Sequence, residues 1–420
     1  MSEEYEKIAD HTQIGQRRIS TRHLPDGVVL RGPLGLVASV YVDGQVVHRA
    51  RDPERGLFEC RAEIMPNGDW LLLFPDGGHY GRAAEKVNDM LAYRSRDGGR
   101  TWAGEGIAFA IDYNQHGFVP LVPRGSARVY AFGTQPVWDE LRINGLRAED
   151  GLHENVPIGF RHSDDNGQSW SEVTLIEPIN DPGFRGMSVM RMCETEAGTW
   201  LIGSHEGDWS YRPLMTRQYV LRSEDQGESW TLGPHKRHGG WCVPQFNRMD
   251  EGRPIDLGGG RIFMMTRTCA GHLWGLWSED DGRTWSAPRP TPLVHPDAPP
   301  MLFKLSDGET LAAFHHNRHS DRDYTGLSGA KAEMMRDRSE IWLSISADGG
   351  HNWSAPRFVF ANALGEAFAS PFRNYQCSYM DCIIEQGVVH LFVPHRWQRV
   401  LHLTIAEADL VNLPLAADLA

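Results

Sequence analysis

The sequence has little that would anchor a membrane, build a disulfide framework or bind zinc. No run of about twenty apolar residues occurs in the 420 residues, which excludes a membrane-spanning helix. The acidic start, residues 1–7, lacks the basic and apolar regions of a secretory signal, so we expect a soluble cytoplasmic protein. The six cysteines form neither a CxxC pair nor a zinc-ligand spacing, and we expect them to be reduced thiols: Cys60, Cys193, Cys242, Cys269, Cys377 and Cys382.

Basic residues are also fewer than acidic ones. Lysine and arginine total 42 against 55 aspartates and glutamates, which gives a formal net charge of -13. A field of this sign repels polyanions, so the composition disfavours a general nucleic-acid or anionic-membrane binder. A local basic pocket for a small anionic ligand is compatible with it. The oligomeric state is not indicated by the composition.

The most informative feature of the sequence is an internal repeat. The pattern S-x-D-x-G-x-x-W occurs five times without a mismatch. In each copy the aspartate can accept hydrogen bonds from backbone N–H groups of the turn, the glycine suits a backbone angle that other residues resist, and the tryptophan covers the hairpin. The five copies are residues 95–102, 163–170, 223–230, 278–285 and 346–353.

Each repeat contains several short strands and no amphipathic helix. Apolar segments rich in β-branched and aromatic residues precede each copy, often after a glycine-bearing turn. One four-stranded antiparallel sheet per repeat, with a sixth sheet over 377–405, predicts an all-β six-bladed β-propeller. A seven-bladed ring is the minority alternative. We expect a single domain over 1–420, with residues near 28–47 closing the last blade.

The five turns and the strand spacing around them resemble the sialidase (neuraminidase) superfamily of BNR-repeat, or Asp-box, propellers. The resemblance covers nearly the whole chain and implies carbohydrate as the substrate. Enzymes of this superfamily are glycosidases that hold an acidic sugar with arginines and use a tyrosine nucleophile assisted by a glutamate, an exception to the two-carboxylate rule. A phenol suits this role because an anionic substrate repels a carboxylate nucleophile.

Two segments carry the resemblance to the site. Glu251 precedes Arg267 by the spacing that separates the assisting glutamate from a carboxylate-binding arginine, and Tyr379 precedes the last-blade strands as the nucleophile does. Arg373, just upstream, is a second candidate for carboxylate binding. The first-blade Arg-Ile-Pro motif is absent, and Arg61, displaced by about three positions, is the candidate for its role.

The acid/base residue has no clear motif. Asp112 and His116 follow the first Asp box and are the nearest candidates, while His205 is a candidate for substrate binding because an imidazole titrates near neutrality. His315 and His316 are adjacent, so on a strand they face opposite sides and fix no third ligand. We therefore predict neither a metal nor another cofactor.

Two other functions remain open. A uronate lyase would use an arginine to neutralise the substrate carboxylate, His116 to remove the neighbouring proton, and Tyr379 or His205 to protonate the leaving group. A non-catalytic carbohydrate-binding propeller is the third hypothesis. The Glu251 and Arg267 spacing favours an enzyme, and an exo-acting sialidase-like hydrolase is the leading interpretation.

Overall fold

The computed structural model describes most of the chain: residues 11–14, 17–20, 36–38, 42–51, 59–76, 88–111, 117–135, 155–208, 215–243, 248–317, 338, 340–362, 377–395 and 399–415. The chain forms two compact units. Unit 1 comprises Met1–Arg49, Thr268–Leu273 and Pro290–Ala420, and unit 2 comprises Ala50–Arg267 and Trp274–Arg289. Among the residues described, no helix has the length and apolar content needed to cross a bilayer.

Short strands account for nearly all of the regular structure. The first sixteen are β1 (His11–Ile14), β2 (Arg17–Ser20), β3 (Leu36–Ala38), β4 (Val42–Arg49), β5 (Arg61–Ile64), β6 (Trp70–Pro75), β7 (Asn88–Ser95), β8 (Ala103–Ile111), β9 (Val119–Leu121), β10 (Val129–Thr134), β11 (Ile158–Ser163), β12 (Thr174–Leu175), β13 (Met192–Glu194), β14 (Trp200–Asp208), β15 (Met215–Ser223) and β16 (Thr231–Gly233).

The remaining eleven strands are also short. Two short 3₁₀ helices, Lys236–His238 and Glu407–Asn412, are the other regular elements in the described residues. These strands are β17 (Met249–Gly258), β18 (Arg261–Thr268), β19 (His272–Ser278), β20 (Arg289–Val294), β21 (Met301–Lys304), β22 (Leu311–His315), β23 (Glu340–Ser346), β24 (Arg357–Asn362), β25 (Asp381–Glu385), β26 (Val388–His395) and β27 (Arg399–Ala406).

Apart from β1 and β2, which pair as a two-stranded sheet, the strands assemble into six antiparallel sheets. Strands β5 to β24 form five consecutive groups of four, and β25 to β27 form the core of the sixth sheet. Each group of four is a meander because neighbouring strands in the sheet are consecutive in the chain. The fold is therefore a six-bladed β-propeller, which confirms the fold class expected from the repeat.

The N-terminal segment supplies outer strands to two sheets. β4 pairs with β27 and becomes the fourth strand of the last sheet. β3 pairs with β24 and becomes a fifth strand of the preceding sheet. Pairing the outer strands of these sheets covers their edge N–H and C=O groups. The sequence expectation placed residues near 28–47 in the last blade, where Val42–Arg49 lies, whereas Leu36–Ala38 lies in the preceding sheet. The single-domain organisation stays a prediction.

The apolar cores lie between neighbouring sheets. In unit 1 one cluster of buried residues includes Phe314, Leu343 and Leu391. In unit 2 two clusters form, one around Trp200 and one around Phe118. Burial of strand side chains on both faces explains why these segments read as nearly continuous apolar runs in the sequence.

The Asp-box turns connect the third and fourth strands of their sheets. In the third box, Asp225 accepts hydrogen bonds from the backbone N–H of Ser229 at 2.9 Å and from its hydroxyl at 2.5 Å. The Ser223 hydroxyl donates to Asp225 at 2.8 Å and accepts the N–H of Gly227 at 2.8 Å. The Trp230 indole N–H donates to the Gly227 carbonyl at 3.1 Å. The box thus satisfies the polar groups of its own turn.

These hydrogen bonds favour the ionised carboxylate. The Thr101 hydroxyl, helped by backbone N–H groups and Ser95, lowers the pKa of Asp97 to about 2. Burial raises the pKa of the other four box aspartates, but their hydrogen bonds outweigh it and the net direction is again downward. Because the unfolded aspartate has a pKa of about 3.9, the boxes stabilise the fold fully above that pH.

We expect the free energy of unfolding to fall as the pH falls from about 4 towards 2, through the folded-state pKa values of these aspartates. Replacing Asp97 with asparagine should make this pH dependence shallower, because asparagine does not titrate. Urea midpoints measured between pH 5 and pH 2 test this. Glu172→Gln, at an exposed position, is the control, and an Asp97→Asn curve parallel to wild type would contradict the assignment.

Candidate active site

Glu251 and Arg267 form a buried ion pair in unit 2. Glu251 lies on β17 and Arg267 on β18, and Gly259, in the turn between these strands, is midway between them in sequence. Antiparallel pairing around that turn brings the two side chains together, and Arg267 Nη1 lies 2.7 Å from Glu251 Oε2. Their side chains are 9% and 3% exposed. The sequence spacing therefore has a direct structural cause.

Two neighbours extend the pair into an alternating set of charges. Arg267 Nε lies 3.5 Å from Asp250 Oδ1, and Arg248 Nε lies 2.8 Å from Asp250 Oδ2. The Thr216 hydroxyl also donates to Asp250 at 2.9 Å. Two carboxylates and two guanidinium groups balance in charge, which is how buried ionic groups are tolerated.

Tyr379 lies against a buried arginine in unit 1. The guanidinium carbon of Arg338 is 5.8 Å from the centroid of the Tyr379 ring, within cation–π range. Arg338 Nη1 donates to the Ser378 hydroxyl at 3.2 Å, and Nη2 donates to the Asp297 carbonyl at 2.6 Å. The tyrosine is 5% exposed. Arg338 is thus fixed beside the predicted nucleophile.

Arg338 was missed by sequence reasoning, which selected Arg373 because it stands closer to Tyr379 in the chain. The signal that would have found Arg338 is weak: an arginine two residues before the apolar strand β23. Its neighbour in space, Tyr379, is brought close by the topology and not by the local sequence.

Backbone strain marks the same residues. Glu251 and Tyr379 have φ angles of +51° and +63°, in the left-handed region that non-glycine residues seldom adopt. Glu59, just before β5, also has a positive φ, of +40°. Such conformations cost about 1–3 kcal/mol each and persist where surrounding contacts impose them. Of the eight non-glycine residues with positive φ in the described ranges, two are the predicted base and the predicted nucleophile, which is an observation in favour of function.

Arg61, a predicted carboxylate-binding residue, is buried and forms an ion pair with Glu59. Its Nη2 lies 3.0 Å from Glu59 Oε2, and both side chains are at most 2% exposed. Glu59 also accepts the N–H of Gly117 at 3.2 Å. The charge of Arg61 is therefore balanced by a carboxylate two residues away, and its binding of a substrate stays a prediction.

The other predicted residues have different outcomes. His205 is buried, and its Nδ1 accepts the backbone N–H of Glu251 at 3.3 Å. Asp112, His116 and Arg373 lie outside the described residues. The roles assigned to them stay predictions.

The histidines near β22 have internal partners. His315 lies with its ring nitrogens 3.1 Å from the Val294 carbonyl and 3.1 Å from the Ser344 hydroxyl. His316 Nδ1 donates to the Glu340 carbonyl at 2.7 Å. Burial lowers the pKa of His315 to about 4, so it is neutral at pH 7. Within the described ranges, no group of three or more potential ligands could hold a metal ion.

The fold and the five turns define an Asp-box propeller, and the match to a family model agrees. The BNR repeat-like domain model matches residues 145–391, more than half of the chain. The chain belongs to the BNR repeat-like domain family. This confirms the resemblance found in the sequence.

Similarity to individual proteins points to sialidases. A sialidase of Micromonospora viridifaciens is 26% identical over 69% of this chain, and the chain spans 44% of that protein's length. A sialidase of Paraclostridium sordellii is 22% identical over 64% of this chain and 74% of its own. The structure of the Hadza microbial sialidase Hz136 superposes with a TM-score of 0.61 at 17% identity, covering 86% of this chain and 68% of the other. These likenesses establish a sialidase fold.

Proposed function

We propose that this protein is an exo-acting glycoside hydrolase of the sialidase type, acting on an acidic sugar. One observation carries the proposal: the residues that the resemblance makes base and nucleophile, Glu251 and Tyr379, are both buried, both left-handed in backbone conformation and both beside an arginine. Strained, desolvated groups next to countercharges are characteristic of active sites. Similarity to sialidases supports the same reaction class.

In the reaction that the resemblance to sialidases implies, Glu251 would accept the phenolic proton of Tyr379. The phenolate oxygen then bonds to the anomeric carbon, and the bond from that carbon to the leaving oxygen breaks. His116 or Asp112 gives its proton to the leaving oxygen, and the same residue later takes a proton from the water that cleaves the tyrosyl–sugar bond. Glu251 returns the proton to Tyr379. The ion pair with Arg267 places a guanidinium 2.7 Å from the Glu251 carboxylate.

Arginines would bind the substrate carboxylate. Arg267 and Arg338 are our candidates, because each is buried, and a guanidinium offers paired N–H donors that match a carboxylate. Arg338 is a candidate because its guanidinium lies beside the Tyr379 ring. Arg373 remains a candidate from the sequence. Arg61 is a further candidate and, like Arg267, is paired with a buried carboxylate, in its case that of Glu59.

The test is a substrate panel that separates three outcomes. Incubation with α-linked sialosides should release free acidic sugar, measured by chromatography, with no absorbance change near 235 nm. A rise near 235 nm on uronate oligosaccharides would replace the hydrolase by a lyase that forms an unsaturated product. Measurable glycan binding without any turnover across the panel would indicate a binding propeller.

A further inference from the structure

Two buried side chains of the third sheet hold consecutive backbone amides of the fourth. His205 on β14 and Gln218 on β15 are directly opposed in the antiparallel register. His205 Nδ1 accepts the N–H of Glu251 at 3.3 Å, and Gln218 Oε1 accepts the N–H of Gly252 at 2.7 Å. The two acceptors are 4% and 0% exposed. Together they form what we call the amide clamp, His205 and Gln218.

The clamp is itself fixed in place. Gln218 Nε2 donates to the Ser204 carbonyl at 2.7 Å, which orients its amide so that Oε1 faces Gly252. The Ser188 hydroxyl lies 3.1 Å from His205 Nδ1. A backbone N–H can only donate, so Nδ1 must be the unprotonated nitrogen and the ring proton is on Nε2. Each acceptor therefore has one defined orientation.

Glycines allow the approach of the two sheets. A Cβ added to Gly203 would lie 2.0 Å from the Gly252 carbonyl oxygen, a distance no side chain tolerates. A Cβ on Gly252 would lie 2.6 Å from the Gln218 side chain. The backbone of residue 252 is thus pressed against β14 and β15. This contact leaves the preceding residue, Glu251, little freedom to relax.

We infer that His205 and Gln218 are positioning residues that impose the left-handed backbone of Glu251. An unsupported glutamate would leave the φ +51° conformation, because left-handed backbone is unfavourable for a residue with a Cβ. Its carboxylate would then move relative to Arg267, its partner at 2.7 Å. The inference rests on the proposed function only in taking Glu251 as the base. It also gives His205 a role other than substrate binding.

Kinetics of clamp variants test the positioning role. His205→Leu and Gln218→Leu remove the acceptors, and we expect kcat on the hydrolysed sialoside to fall about 10- to 100-fold with KM changed less than about threefold. His205→Asn should recover most of kcat, because asparagine Oδ1 is the same number of bonds from the backbone as Nδ1. A merely structural histidine would not be rescued selectively by asparagine over leucine.

Hydrogen exchange tests the clamp independently of activity. Peptide-resolved exchange of the native protein should show protected amides at Glu251 and Gly252, and both leucine variants should exchange there at least about tenfold faster. Ile202→Val, at a buried position on β14 away from the clamp, is the matched control and should change neither kcat nor exchange at these amides.

The outcomes separate the two proposals. Unchanged kcat and unchanged exchange in both leucine variants would overturn the clamp while leaving the hydrolase intact. Faster exchange in both leucine variants, together with a wild-type protein that turns over no glycan, would support the clamp on the backbone and overturn the catalytic role of Glu251.

Discussion

Replacing Tyr379 with phenylalanine is expected to lower kcat by at least about 10³-fold while the protein stays folded. The substitution removes only the hydroxyl that would attack the anomeric carbon. It retains the ring that lies 5.8 Å from the Arg338 guanidinium, and the left-handed backbone at φ +63° makes no greater demand on phenylalanine than on tyrosine. Initial rates on the sialoside identified in the panel, with circular dichroism as a check of folding, measure the effect.

Tyr130→Phe is the matched control. Tyr130 packs its ring 5.0 Å from that of Trp200 in the core of unit 2, so loss of its hydroxyl should leave turnover at the wild-type level. Full activity of the Tyr379→Phe protein would exclude a tyrosine nucleophile, and a role in binding alone would appear as a raised KM at unchanged kcat.

Replacing Arg267 with alanine is expected to reduce the free energy of unfolding by about 3–5 kcal/mol and to abolish activity. The physical reason is the charge left behind. Glu251, with its side chain 3% exposed, would lose its partner at 2.7 Å, and Asp250 would lose one of its two guanidinium neighbours. Urea unfolding at pH 7 measures the stability, and initial rates measure activity.

A second variant separates stability from catalysis. Glu251→Gln combined with Arg267→Met removes both charges of the pair, so most of the lost stability should return while activity stays absent. An Arg267→Ala protein as stable as wild type would show that the ion pair contributes nothing to the fold. Recovery of activity in the double variant would remove Glu251 and Arg267 from the mechanism.

Some of the site could be predicted because its parts are local in the chain. The Glu251 and Arg267 pair follows from one hairpin, with Gly259 in the intervening turn, so a spacing in the sequence is also a distance in space. The pairing of Glu59 with Arg61 is equally local, yet it was not predicted, because a spacing of two residues does not reveal that both side chains are buried and face each other.

Other parts could not be predicted because they depend on contacts between segments far apart in sequence. Arg338 meets Tyr379 only through the packing of unit 1. The positive φ of Glu251 has no signal in its residue type, since glutamate normally avoids that region. The clamp that holds it comes from β14 and β15, over 30 residues upstream.

The sequence by itself determined the repeat, the strands and the six-bladed fold, because an Asp box closes its hydrogen bonds within eight residues and a hairpin sheet needs only neighbouring strands. Only the tertiary structure decided which arginine stands beside Tyr379, that the charge of Arg61 is balanced by Glu59, and that His205 supports the Glu251 backbone. Those outcomes depend on which buried groups meet across sheets, and burial makes each unpaired charge or amide costly enough to fix its partner.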